Sequence, residues 1–438
     1  MKDIKNLYHK MTKYKKSEEL LERALKTIPL GSQTFSKSIT QLPHGISPYF
    51  ATHAKGSKFW DVDGNEYLDF NNGLLSITLG HCDPDVVNAV KQQLEKGTIF
   101  SLASELEVEL GEKIRDMVPC AEMVRYGKNG SDATAGAIRL ARAITKRDHV
   151  LVCGYHGWQD WYIAVTTKNR GIPGATSKLT HSFTYNNIDS LNDLLNEYKD
   201  EVAAVIMEPV NVTCPHDGFL ESVKELTHQH GALLIYDETI TGFRYSNGGA
   251  QEFFGVTPDL ATFGKGLANG YPLSAVTGKA EYMKELEDLF FSFTFGGETL
   301  SLAASLAVLN KLTNEPVVDH MSAIGDSIIK KGKELIRRHA LADAFDIAGY
   351  GVWSFMMIQD FAGATSFEWK SLYMQEMFKR GIFTLGTHNI SYAHSEDDVS
   401  RLMTAYDEFF GLVNEVKAAG NMDKVLECEP LKPLFKVR

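Results

Sequence analysis

The chain has 438 residues, 44% hydrophobic and 23% charged, the values of an ordinary globular protein and not of a disordered chain. Its net charge of -11 works against phosphate backbones and anionic lipid, so nucleic acid and membrane surfaces are not expected partners. At roughly 150 residues per domain the length implies two or three structural units, and no stretch approaches the ~18 uninterrupted apolar residues of a membrane span.

The first residues, MKDIKNLYHKMTKYKK, are basic with no apolar run behind them. That is not a secretory signal, and a cytoplasmic protein is expected. Residues 17–28 read as an amphipathic helix with Leu20, Leu21, Ala24, Leu25 and Ile28 on one face. After a loop holding Gly31, Pro43, Gly45 and Pro48, residues 56–70 read as a hairpin, because Asp63-Gly64 supplies the positive φ of a tight turn. Asp83-Pro84 is a cap followed by proline at the first helical position, with Val86, Val90 and Leu94 repeating at i+4. Ser104 and Glu107 form a capping box ahead of Leu106, Leu110 and Ile114.

From about 120 to 280 continuous apolar runs (149–153, 202–207, 232–236 and 260–263) alternate with helical stretches, one of them 220–230, closed by Gly231. Strands of that kind are buried on both faces, which predicts an α/β fold with a mostly parallel sheet and helices on both sides. Ligands of such sheets bind outside the carboxyl ends of the strands. Beyond 310 the pattern turns helical, then mixed: 349–358 reads as a strand and 395–416 as a helix with acidic residues in its first turn. Cys82, Cys120, Cys153, Cys214 and Cys428 are scattered with no CxxC pair, so reduced thiols are expected, not a disulfide framework or zinc site. His228 and His230 have no matching carboxylates in sequence and read as surface or capping residues; no metal is expected.

Polar groups follow the strand runs: Tyr155-His156-Gly157, Glu208-Pro209, Asp237-Glu238 and Lys265. Asn129-Gly130-Ser131-Asp132 opens a small-residue helix whose first N–H groups could cradle a phosphate, or simply be capped. Asp237, after an apolar strand, needs a partner: a protonated heterocyclic nitrogen, its own helix cap, or Arg244. Lys265, between Gly264 and Gly266, is a surface charge or, if desolvated, a nucleophilic amine. Together, a phosphate cup, an aromatic ring cover, a buried carboxylate and an imine-forming lysine meet the requirements of pyridoxal 5'-phosphate (PLP). No G-x-G-x-x-G, P-loop or G-x-S-x-G pattern competes.

Two longer segments, Asp61-Val62-Asp63-Gly64-Asn65-Glu66-Tyr67-Leu68-Asp69-Phe70 and Asp237-Glu238-Thr239-Ile240-Thr241-Gly242-Phe243-Arg244, resemble the class III (subgroup II) PLP-dependent aminotransferases, in particular the glutamate-1-semialdehyde 2,1-aminomutase branch. The resemblance runs from about Gly31 to 310 and continues more weakly beyond. It implies PLP fold type I: a large domain at 71–312, and a small α+β domain built from both chain ends, 1–70 and 313–438. It implies that Lys265 forms the Schiff base and moves protons, that Asp237 pairs with the pyridinium nitrogen, and that Tyr155 and Thr239 cover the two ring faces. Thr239 stands where the family usually has valine. Gly130 and Ser131 would bind phosphate, with His156 also at the cofactor and Glu208 near the substrate or the cofactor's 3-hydroxyl. Thr294 would reach the phosphate of a neighbouring subunit, making a homodimer with shared active sites.

The implied activity is transfer of an amino group from a small-molecule donor to a keto or aldehyde acceptor through the aminated cofactor; the alternative is an intramolecular aminomutase, and a third reading is a non-catalytic relative, against which intact Lys265 and Asp237 argue. Residues 158–162, with Trp158, Trp161 and Tyr162, and residues 293–299 depart from the aminomutase pattern, and the departures at Trp158 and Glu298 modestly favour the transferase. The three aromatics would wall in a larger or ring-shaped compound, or simply pack. Gly386-Thr387-His388-Asn389 is a further candidate for the substrate side.

Overall fold

The computed structural model describes residues 12–433 and resolves them into two compact units. The basic stretch before residue 12 lies outside the described residues. Fourteen strands form among them: β1 Ala51–Lys55, β2 Lys58–Asp61, β3 Glu66–Asp69, β4 Met123–Gly127, β5 His149–Cys153, β6 Thr180–Ser182, β7 Val202–Met207, β8 Leu233–Asp237, β9 Leu260–Phe263, β10 Ser274–Gly278, β11 Phe345–Tyr350, β12 Trp353–Ile358, β13 Ile382–Phe383 and β14 Thr387–Asn389.

The larger unit holds Gly73–Thr78 and Asp83–Val318. Its sheet has seven strands in the order β4-β10-β9-β8-β7-β5-β6. Strands β6, β5, β7, β8 and β9 run parallel to one another, and β10 runs antiparallel to both β9 and β4. The apolar runs are continuous because each pleat faces a core. Val150, Val152, Ala204, Ile206, Leu233, Ile235 and Leu260 join a cluster with Ala133, Ala137, Ile138 and Leu140 of the helix Gly130–Thr145. The alternate residues Leu151, Val205, Met207, Leu234 and Tyr236 pack against Leu191 and Leu195 of Ile188–Glu197 and Phe219, Leu220 and Val223 of Phe219–Gln229. The two-residue period therefore fixes which face the residues at each strand's carboxyl end will take.

The smaller unit contains the described residues up to Asn72, Leu79–Cys82 and those from Asp319 onward. One of its sheets has the order β1-β2-β3-β13, the other β11-β12-β14. The hairpin expected at 56–70 forms as β2 and β3, with Gly64 at φ +89 in the turn. The strand expected at 349–358 is instead two, β11 and β12, which turn back on each other at Gly351-Val352. The first helix runs Lys15–Ala24, earlier than the 17–28 expected; Leu25 lies past its end and is 47% exposed. In the larger unit, Leu94 ends the helix Pro84–Leu94 on its exposed side although Val86 and Val90 are buried.

His388, singled out in sequence as a substrate-side candidate, is turned into the core of the smaller unit. Its Nδ1 meets Ser354 Oγ at 2.9 Å and its Nε2 meets Tyr406 Oη at 2.5 Å, and Tyr406 meets Tyr373 at 2.8 Å. Burial pushes the imidazole down to about 3. Since an exposed histidine titrates near 6.5, only the unfolded chain takes up this proton between those values. Stability from His388 is complete above about pH 6.5 and falls as pH drops, by about 1.4 kcal/mol per unit. Urea unfolding between about pH 6.5 and 5 is expected to show this loss. In His388→Asn the protein starts less stable, but its profile is flatter by one proton; a variant as pH-dependent as the parent contradicts the assignment.

Candidate cofactor and active site

The strand ends of the larger unit bring the candidates together. Asp237 ends β8 in register with Leu233 and Ile235, so its side chain takes the face covered by Gly130–Thr145. Thr262, one pleat on from Leu260, shares that face, and its Oγ1 donates to Asp237 Oδ1 at 3.2 Å. The backbone N–H of Thr239 donates to the same oxygen at 3.1 Å. The other carboxylate oxygen meets His156 Nδ1 at 2.9 Å, and His156 Nε2 lies 3.2 Å from the carbonyl of Cys153. Both imidazole nitrogens thus face oxygen atoms. Burial raises the carboxyl of Asp237, but His156, by hydrogen bond and charge, and Thr239 outweigh it and hold the group below its ordinary value. Asp237 therefore stays ionised although only 4% exposed. The side-chain partner found, His156, is not among those the sequence left open, and Thr262 was missed as well, though a threonine in phase with Leu260 in an apolar strand was the signal for it.

Lys265 follows β9 with φ +40, a left-handed conformation that costs a side-chain-bearing residue about 1–2 kcal/mol. Such strain concentrates at functional sites. Desolvation lowers its ammonium below the ordinary value; the charges of Glu208 and Asp237 oppose that shift and Arg244 reinforces it. The amine is thus brought closer to its neutral, nucleophilic form. Glu208 takes the N–H of Tyr155 at 3.0 Å and the amide of Asn211 at 2.8 Å on one oxygen. Burial raises its carboxyl, partly offset by His156.

The helix Gly130–Thr145 begins with Asn129 as cap and a capping box through Asp132. Capping satisfies the third N–H of the turn, which leaves those of Gly130 and Ser131 for an anion. Ser131 Oγ receives the N–H of Trp158 at 3.3 Å. A Cβ on Gly130 would lie 2.9 Å from Thr239 Cγ2 and 3.2 Å from its Oγ1, and one on Gly264 would lie 3.2 Å from the same methyl. Thr239, Gly130 and Gly264 therefore converge, and the buried Thr239 hydroxyl makes no hydrogen bond there. Tyr155 stands 48% exposed, edge-on to Tyr162 at 5.6 Å between centroids. An anion cup, a held-ionised carboxylate, an exposed aromatic face and a desolvated lysine fit the phosphate, ring nitrogen, ring and aldehyde of PLP.

Other expectations fare differently. Trp161 and Tyr162 are buried in the core beside Ala133 and Val165, so they pack; only Trp158, 65% exposed, remains free to meet a ligand. Thr294 is exposed on the loop before the helix Thr299–Asn314. His228 meets Asp259 at 2.8 Å and His230 caps its helix against Leu226. No group of three or more metal-ligating residues occurs among the described residues, and no helix there is long and apolar enough to cross a membrane.

Fold and site define a PLP-dependent enzyme of the transaminase type. The chain belongs to the class-III aminotransferases, whose family profile matches residues 41–393. It is 35% identical over 414 residues to a 3-aminobutyryl-CoA aminotransferase of Cloacimonas acidaminovorans, covering 92% of this chain and 99% of that one. It is also 35% identical over 418 residues to a glutamate-1-semialdehyde 2,1-aminomutase of Methanosphaera stadtmanae, covering 86% and 96%. Among solved structures, the FumI protein of a Sphingopyxis species in its PLP internal aldimine form superposes with a TM-score of 0.86 at 28% identity over 92% of this chain and 98% of that one. An omega-transaminase from Sphaerobacter thermophilus gives 0.81 at 27% over 93% and 99%.

Gly157 tests the packing of the cup. It has φ +103, and a Cβ there would collide with Ser131 Oγ. Gly157→Ala is expected to weaken PLP affinity by roughly tenfold or more, from backbone strain and displacement of Ser131. Fluorescence titration of the cofactor-free protein checks this; unchanged affinity contradicts it.

Proposed function

We propose that this enzyme is an aminotransferase acting between two small molecules, an amino donor and a keto or aldehyde acceptor, and that Lys265, Asp237 and Tyr155 carry the chemistry. The observation that supports it most is the pairing of an Asp237 held ionised by His156 with a Lys265 amine lowered by desolvation, at adjoining strand ends. When bound, PLP supplies an electron sink for the bond broken at the substrate carbon. Asp237 keeps a proton on the ring nitrogen, and His156 is a positioning residue that holds the carboxylate. Lys265 Nζ would hold the cofactor through its aldehyde carbon, and its free amine would move the proton taken from the substrate Cα. Tyr155 covers one ring face and Thr239 the other. The N–H groups of Gly130 and Ser131 take the phosphate, and Glu208 fixes the backbone of Tyr155.

A cytoplasmic homodimer is the proposed form, with Thr294 of each chain completing the other's phosphate site; the exposed Phe290, Phe293 and Phe295 around it support a covered surface there. Intramolecular aminomutation is the second reading, favoured by the likeness to glutamate-1-semialdehyde aminomutases. The two separate on adding glutamate to the purified holoenzyme. A transferase using that donor loses its yellow absorption as 2-oxoglutarate appears; an enzyme that keeps its colour and releases none uses another donor or is a mutase.

Lys265→Ala is expected to abolish turnover, and full activity contradicts the reading. Asp237→Asn removes the charge that would hold the proton on the ring nitrogen and is expected to cut the rate by roughly a hundredfold, about 3 kcal/mol of barrier. An unchanged rate would mean that the carboxylate is only structural.

A further inference from the structure

The Thr239 hydroxyl stands near enough to Asp237 to help hold its carboxyl low, yet it closes no hydrogen bond of ordinary geometry in the fold. Its Oγ1 is buried and makes no hydrogen bond, although buried hydroxyls are normally paired. The methyl alone accounts for the packing against Gly130 and Gly264. Asp237, the nearest anion in sequence, has both oxygens engaged: Oδ1 takes the Thr239 N–H and the Thr262 hydroxyl, and Oδ2 faces His156. The hydroxyl lies instead against Gly130, at 3.2 Å from where a Cβ would stand, beside the first turn of the helix whose N–H groups of Gly130 and Ser131 remain for an anion. Valine has the shape of threonine without the hydroxyl, so packing does not require an oxygen here.

We infer that Thr239 is a cofactor-binding donor, its hydroxyl completing the anion cup by a hydrogen bond to the phosphate of PLP. The inference rests on the placement of the cofactor proposed above and adds one role: a residue that covers the ring also reaches the phosphate. A hydroxyl donating to a charged oxygen in a buried cup is worth about tenfold in affinity.

Substitution Thr239→Val separates the two. Cofactor-free protein is titrated with PLP and, separately, with pyridoxal, which lacks the phosphate, and its thermal midpoint is measured without either. The expected result is PLP affinity about tenfold weaker, pyridoxal affinity unchanged, and a thermal midpoint equal to or above the parent's. Thr239→Ser, which keeps the hydroxyl, should retain most of the PLP affinity. Unchanged PLP affinity in Thr239→Val overturns the inference, as does an equal loss with both ligands, which would place the hydroxyl at the ring or at Asp237. If the parent protein binds no PLP, the cofactor placement itself fails.

Discussion

The site depends on keeping one carboxylate charged where water cannot reach it. Asp237 ends an apolar strand, and burial alone would neutralise it. It stays ionised because three donors converge on it from different elements: His156 from the turn after β5, Thr262 from β9, and its own chain's N–H at Thr239. His156 is held in turn by the carbonyl of Cys153, and Thr134 of the covering helix donates to the backbone of His156 at 2.9 Å. A fixed anion at that point is what a cationic heterocycle needs to find before it arrives, and it requires no reorganisation on binding.

The same sheet places the remaining groups. Parallel strands end on one edge, so Glu208, Asp237 and Lys265, distant in sequence, leave adjoining strands side by side. Backbone permissiveness does the rest: Gly157 lets the Tyr155 turn lie on Ser131, and Gly130 and Gly264 give Thr239 its room. Lys265 departs from this pattern, because it takes a left-handed conformation without being glycine.

Much of this was legible from the residues alone. Four apolar runs gave four strands of the larger sheet to within a residue, because strands buried on both pleats are continuous in hydrophobicity. β4 and β10 escaped notice because Arg125 and Tyr126 interrupt the first and Ser274, Thr277 and Gly278 the second. The break at Gly351 was invisible since both sides of it are apolar. In the site, Lys265, Asp237, Gly130 and Ser131 stood out by position and type, whereas the His156–Asp237 contact joins residues 81 apart and only the strand order β8-β7-β5 makes it necessary. Trp161 and Tyr162 left two readings open, wall or core, because an aromatic that lines a ligand and one that fills a core have the same sequence appearance; they fill the core.

The claim on which everything else turns is that Lys265 Nζ is the atom holding the cofactor. Borohydride reduction of the PLP-loaded protein, followed by proteolysis and mass spectrometry, marks whichever lysine carries it. A single phosphopyridoxyl mark on the peptide containing Lys265 is the expected result. A mark on another lysine, or spread over surface lysines with Lys265 untouched, contradicts the assignment of the site.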